Sequence, residues 1–157
     1  MSQLTQVMKD QYAAAWSLLS DAVDALDVDA WRRVGPGDLV PARLAVHILE
    51  TADYYVAPDL TSFDWGGRFG IDSETASPDE FPCKTALIAY LDEVQRRCVH
   101  WIEQLGDEGL LAPDHVFHDE GMCHLDRALY VLRHTHHHLG ELFVLLRAWD
   151  LSRPGWR

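Results

Sequence analysis

Four of the chain's nine histidines crowd into five residues, His134-Thr135-His136-His137-His138. Neutral imidazole is the commonest protein ligand for transition metals, so the first question is whether these rings converge or merely form a polar, tag-like tract. On a helix they are not equivalent. At about 100° per residue, His134 and His138 lie only about 40° apart, on a shoulder shared with Val131, Leu142 and Leu145, so both turn inward. His137 falls on the polar face with Asp126, Tyr130, Arg133 and Glu141, where an i,i+4 partnership with Glu141 is the natural expectation. His136 falls on the other shoulder, and Leu125, Leu132, Leu139, Phe143 and Leu146 make the apolar face.

Two imidazoles one turn apart are about 6 Å apart along the axis, close enough to share one ion at metal–nitrogen distances of about 2.0–2.1 Å. A third ligand has to come from another helix. His47, beside Leu44 and Ile48, is the best candidate, because a bundle brings mid-helix residues to a common core level. Three neutral imidazoles leave one coordination position open, which suits a catalytic site better than a closed structural one. An all-histidine set adds no negative charge, so bound water is acidified strongly and an anion or thiolate can replace it. The bland alternative is a metal-free bundle in which the rings pack and hydrogen-bond. Other metal patterns fail: Thr135 stands where His-Glu-x-x-His needs glutamate, and no Glu-x-x-His of a di-iron bundle occurs.

Other polar residues carry weaker signals. Glu50 and Asp53, near His47, either orient a ligand, accept a proton or sit as solvated surface carboxylates. Asp114-His115, His118-Asp119-Glu120 and Cys123-His124 form a second cluster that reads as a polar loop before the last helix, with at most one side chain at the mouth of the site. Cys83, Cys98 and Cys123 are odd in number and contain no Cys-x-x-Cys pair, so they read as reduced thiols. Trp65, Phe69, Trp149 and Trp156 read as ordinary packing aromatics, with a substrate wall or dimer contact as the alternative.

The elements that must position these residues are helical throughout. Apolar residues recur at helical spacing over about 4–26, giving helix one. Pro41 suits the first turn of helix two, whose stripe of Leu44, Ile48, Thr51, Ala52 and Tyr55 stops before Pro58. The stretch from Ala57 to Ser77 shows no sustained period and is long enough to cross a bundle, which permits helices two and three to run parallel. Helix three begins between Ser77 and Pro82, where Ser77-Pro78-Asp79-Glu80 reads as a capping box, and ends at Gly106. Helix four covers about 124–149. No alternating segment is long enough for a sheet, so the fold class is all-α, a four-helix bundle in a single domain over 1–157.

Composition narrows the function. Hydrophobic residues make up 48% and charged residues 24%, as in ordinary globular proteins. A formal charge of −12 repels phosphate backbones, so neither nucleic acid nor an anionic membrane is an expected partner. No signal peptide or membrane span is legible, and the expected location is cytoplasmic.

The inward pair followed by glycine, His134-x-x-x-His138-Leu139-Gly140-Glu141, together with His47 in PARLAVHILETADYY, resembles the DinB-like family of four-helix proteins over most of the chain. In that family the last-helix motif usually reads His-x-x-x-His-Arg-Gly-Gln, and a histidine on helix two completes a three-histidine metal site. His47, His134 and His138 are the corresponding positions. Leu139 and Glu141 stand where the family usually has Arg and Gln. The resemblance implies an up-down-down-up topology with a long crossover between helices two and three, and frequently a homodimer. It also implies relatives that are thiol-dependent transferases and isomerases, beside many without an established activity.

The leading functional expectation is therefore a divalent-metal-dependent enzyme. In it His47, His134 and His138 hold zinc, nickel or a similar ion that activates a low-molecular-weight thiol or a water toward a small-molecule substrate, as a thiol-dependent transferase or a metal-assisted hydrolase. The alternative from another class is a non-catalytic metal-binding or sensing domain whose ion stabilises the bundle.

Overall fold

A computed structural model describes residues 3–116 and 121–155. The long helices are α1 (Gln3–Ala25), α3 (Pro41–Val56), α4 (Lys84–Leu111) and α5 (His124–Ala148), with the one-turn helix α2 (Val28–Trp31) between α1 and α3. Among the described residues no strand forms, and the one isolated bridge joins Pro113 to Cys123. The expected all-α bundle of four major helices is present. No described helix is long and apolar enough to cross a membrane.

α4 packs against α1 and α3, and α5 packs against the same two helices from the other side. Each helix supplies a stripe to the shared core: Tyr12, Trp16 and Leu19 from α1, Ala45, Ile48 and Leu49 from α3, Leu87, Val94 and Ile102 from α4, and Val131, Leu142 and Leu146 from α5. Each buried Leu, Ile or Val contributes about 1.5–3 kcal/mol of transfer free energy, which fixes the rotation of every helix about its axis. In α5 the most buried line runs through Ala128, Val131, Thr135, Leu139, Leu142 and Leu146, whereas Leu125, Leu132 and Phe143 are only partly buried. The face expected from the leucines is thus rotated toward Val131. α5 wedges between α1 and α3 and so buries a wider arc than one stripe.

Two boundaries differ from the sequence reading. The capping box at Ser77 is real, with Glu80 accepting from the Ser77 N–H and hydroxyl at 2.7 Å each, but it closes only one 3-10 turn, Pro78–Glu80. Pro82 lacks an N–H and disfavours helical geometry at Phe81, so α4 starts afresh at Lys84. At the other end Gly106 does leave helical geometry, with φ 61° and ψ −176°, and a further helical stretch follows to Leu111. That break brings the Asp107 carboxylate onto the first turn of α1, where it accepts from the N–H groups of Leu4 and Thr5 and from the Thr5 hydroxyl.

The crossover between α3 and α4 is tied to the bundle rather than left loose. Gly66, at φ 77°, donates its N–H to Glu50 Oε1 at 2.8 Å, and a Cβ there would meet Ile71 O at 1.9 Å, so only glycine fits. Arg68 pairs with Glu93, and the Phe69 ring meets Tyr90 edge-on.

Candidate metal centre

α3 and α5 lie side by side, and this contact brings the three inward histidines together. One ligand nitrogen from each of His47, His134 and His138 can be chosen so that all lie within 4.8 Å of one another. His47 Nε2 and His134 Nε2 are 3.0 Å apart. Ring centroids are 4.9 Å apart for His47 and His134, 4.7 Å for His47 and His138, and 4.5 Å for His134 and His138. All three residues are half-buried, neither sealed in the core nor free in solvent.

The donor set fits a divalent transition metal. Two nitrogens sharing a tetrahedral ion with bonds of about 2.0–2.1 Å sit roughly 3.3 Å apart, so the 3.0 Å separation needs an adjustment of only tenths of an ångström. The His138 Nδ1–H donates to Glu141 Oε2 at 2.6 Å, which fixes the tautomer and leaves Nε2 with the free lone pair. Among the described residues no fourth His, Cys, Asp or Glu ligand joins this group.

Electrostatics favours the ligand-ready state. His134 is pushed down to about 4, first by burial and then by the neighbouring His138, His47 and His137. His47 is also lowered, by burial and then by His138, with Glu141 and Glu74 pulling the other way. Both rings are therefore neutral at pH 7. Because the unfolded chain takes up these protons near the ordinary value of 6.5 and the folded cluster refuses them, stability rises with pH across this window. Chelator-treated protein is expected to lose stability as pH falls from about 6.5 toward 4, and urea midpoints measured across that range for wild type and His134→Gln check it. The variant's dependence should be shallower.

The expected His137–Glu141 pair is present, but Glu141's shorter contact and one further partner were not foreseen. Glu141 does meet His137, with Nε2 3.9 Å from Oε1 on the exposed side, and it makes a shorter contact with His138 at 2.6 Å. The i,i+3 and i,i+4 spacings both put Glu141 within reach of a histidine, so spacing alone does not choose. Tyr130, placed on the polar face, stacks on the His134 ring at 6.1 Å with planes 24° apart. Its position four residues before His134 is the signal that identifies it. His136 donates its Nδ1–H to its own helix carbonyl, Leu132 O, at 2.8 Å and is not among the clustered ligands. Glu141→Ala is expected to weaken metal binding about 10–100-fold by freeing the His138 ring, as a competitive chelator titration would show.

Glu50 and Asp53 are neither solvated nor on the histidines. Glu50 is 2% exposed and holds Gly66, whereas Asp53, 7% exposed, accepts from the Tyr90 hydroxyl at 2.9 Å and meets Arg97 Nε at 3.1 Å. Burial is the first cause raising both carboxyls above their ordinary range. In the loop before α5, Asp114 is buried against Arg127, and the His124 ring bonds Gly109 O, so these two support the fold. His115 is exposed, and His118, Asp119, Glu120 and Trp156 lie outside the described residues. Gly140, the motif glycine, has open space around its Cβ direction, so nothing in this chain demands glycine there.

Comparison with known proteins accords with this arrangement. A crystallised DinB-like protein from Bacillus cereus ATCC 10987 superposes with a TM-score of 0.68, covering 94% of each chain at 18% identity, a likeness of fold. No curated protein matches the chain. The model of the DinB superfamily matches residues 11–142, which include all three clustered histidines. By that match the chain belongs to the DinB superfamily.

Proposed function

We propose that this protein is a divalent-metal-dependent enzyme in which His47, His134 and His138 hold one ion, zinc or nickel by the nitrogen-rich donor set, and a low-molecular-weight thiol or a water supplies the nucleophile. The observation that carries this reading is the convergence of three imidazoles with no fourth protein ligand among the described residues, which leaves a coordination position for an exchangeable group. When bound, such an ion lowers the pKa of a thiol or water and so provides a nucleophile near neutral pH. The chain's own residues hold that arrangement. Glu141 keeps the His138 Nδ1 proton and Tyr130 braces His134. The Tyr55 hydroxyl, raised by burial and by Tyr130, stays a phenol beside that brace and offers a proton rather than a negative charge.

The up-down-down-up topology belongs to the same proposal. Pairing of Lys9 with Glu103 and of Thr5 with Asp107 supports opposed α1 and α4. Contacts of Arg43 with Ala76 O, and of Asp53 with Tyr90 and Arg97, support α3 running alongside α4. A homodimer is proposed too, on the open surroundings of Gly140 and the exposed Leu129 and Val144 of α5.

Screening metal-loaded protein against electrophilic small molecules, with and without low-molecular-weight thiols, tests the function. Turnover that needs both metal and thiol supports the transferase, and turnover that needs metal alone supports the hydrolase. Metal-loaded protein that turns over nothing in either series would leave the non-catalytic metal-binding reading in its place.

A further inference from the structure

Away from the histidines, a cavity of about 570 Å³ opens between the end of α3, the outer half of α4 and the start of α5, inside the range of about 300–1,000 Å³ typical of small-molecule sites. Val56, Pro58, Leu60 and Trp101 give it an apolar wall. Arg127, only 5% exposed, also lines it, with Arg97 and His100. Along α5, Arg127 stands seven residues before His134, roughly 10 Å down the axis, with Tyr130 between them. None of the three clustered histidines lines this cavity.

We propose that this cavity binds an organic carboxylate with a mostly apolar body, its charge on the Arg127 side and its body against Trp101. Two guanidinium groups and an imidazole meet at one apolar hollow. Arg127 is pre-set for the task. Its Nε lies 2.7 Å from Asp114 Oδ2 and its guanidinium sits 4.9 Å over the Trp101 ring, which fixes the plane of the fork. Asp114 is its one ion-pair partner among the described residues, and it meets the fork at Nε, so a guanidinium with five donors still has its Nη groups for a second acceptor. Arg97 is held at the rim by Asp53 and Glu93. The one carboxylate on the lining among the described residues, Asp59, is turned onto its own loop, accepting from the Thr61 N–H and hydroxyl and so not set against an incoming anion.

Calorimetric titration of metal-loaded protein with 4-phenylbutyrate and with the uncharged 4-phenylbutanol tests this. The acid is expected to bind saturably, at least tenfold more tightly than the alcohol, in the metal-loaded protein and equally in its chelator-treated form. Arg127→Met should bring the acid down to the alcohol's affinity. Should that variant not fold, Gln104→Trp decides, since it fills the cavity from an exposed rim position and is expected to abolish binding of both. The proposal is overturned by absence of saturable binding, by equal affinity for acid and alcohol, or by full binding in Gln104→Trp. Loss of binding on chelator treatment also overturns it, because the carboxylate would then sit on the metal.

Discussion

With zinc or nickel at about a thousand times its dissociation constant, the protein is expected to unfold roughly 8–16 °C above its chelator-treated form. Binding only to the folded state at that excess contributes about 4 kcal/mol, and a chain of this length shifts by about 2–4 °C per kcal/mol. The size of the effect follows from where the ligands come from. His47 is on α3 and the other two are on α5, 87 and 91 residues away in sequence, so the unfolded chain holds no such set. The ion therefore cross-links two helices that otherwise meet through apolar contact. His47→Ala leaves the α5 pair alone and should lose nearly all of the shift, as differential scanning fluorimetry with each metal would show. A shift of wild-type size in His47→Ala would mean that the metal acts elsewhere, for instance at His137, His138 and Glu141, the other group of potential ligands among the described residues.

Asp114→Ala is the second large effect and lies outside the centre. Asp114 is 5% exposed and its carboxylate lies against an equally buried Arg127, 2.7 Å apart. Removing one partner strands a charge in the interior, which costs about 3–5 kcal/mol, far more than the net worth of the pair. The same carboxylate accepts from the Val116 N–H at 3.0 Å, so the loop entering α5 loses that anchor as well, although the backbone bond from position 114 to Met122 O is kept. Urea unfolding should show the full loss in Asp114→Ala, whereas Asp114→Ala combined with Arg127→Met should recover most of it. If the double variant were as unstable as the single one, the loop anchor rather than the stranded charge would carry the effect.

These cases also show what the sequence could and could not convey. The long helices were legible because burial demands a 3.6-residue period, and His134 and His138 were separable from His136 and His137 because one helical wheel orders all four. His47 was a candidate by its mid-helix place among apolar residues, but as a ligand it was held mainly by the family resemblance. Glu50 was not, since its burial depends on Gly66, a loop residue 16 positions away that turns its N–H inward. Asp114 looked like a solvated loop acid for the same reason, because its partner is set by how the loop folds back onto α5. Glu141 shows a third limit: the helix places it within reach of two histidines, and only packing chooses His138.

Elemental analysis of tag-free protein, in wild type and in the His47→Ala, His134→Ala and His138→Ala variants, tests the metal centre most directly. One divalent ion per chain in wild type and almost none in the three variants is the expected result. Equal metal content in all four, or no stoichiometric ion in wild type protein after loading, would contradict it.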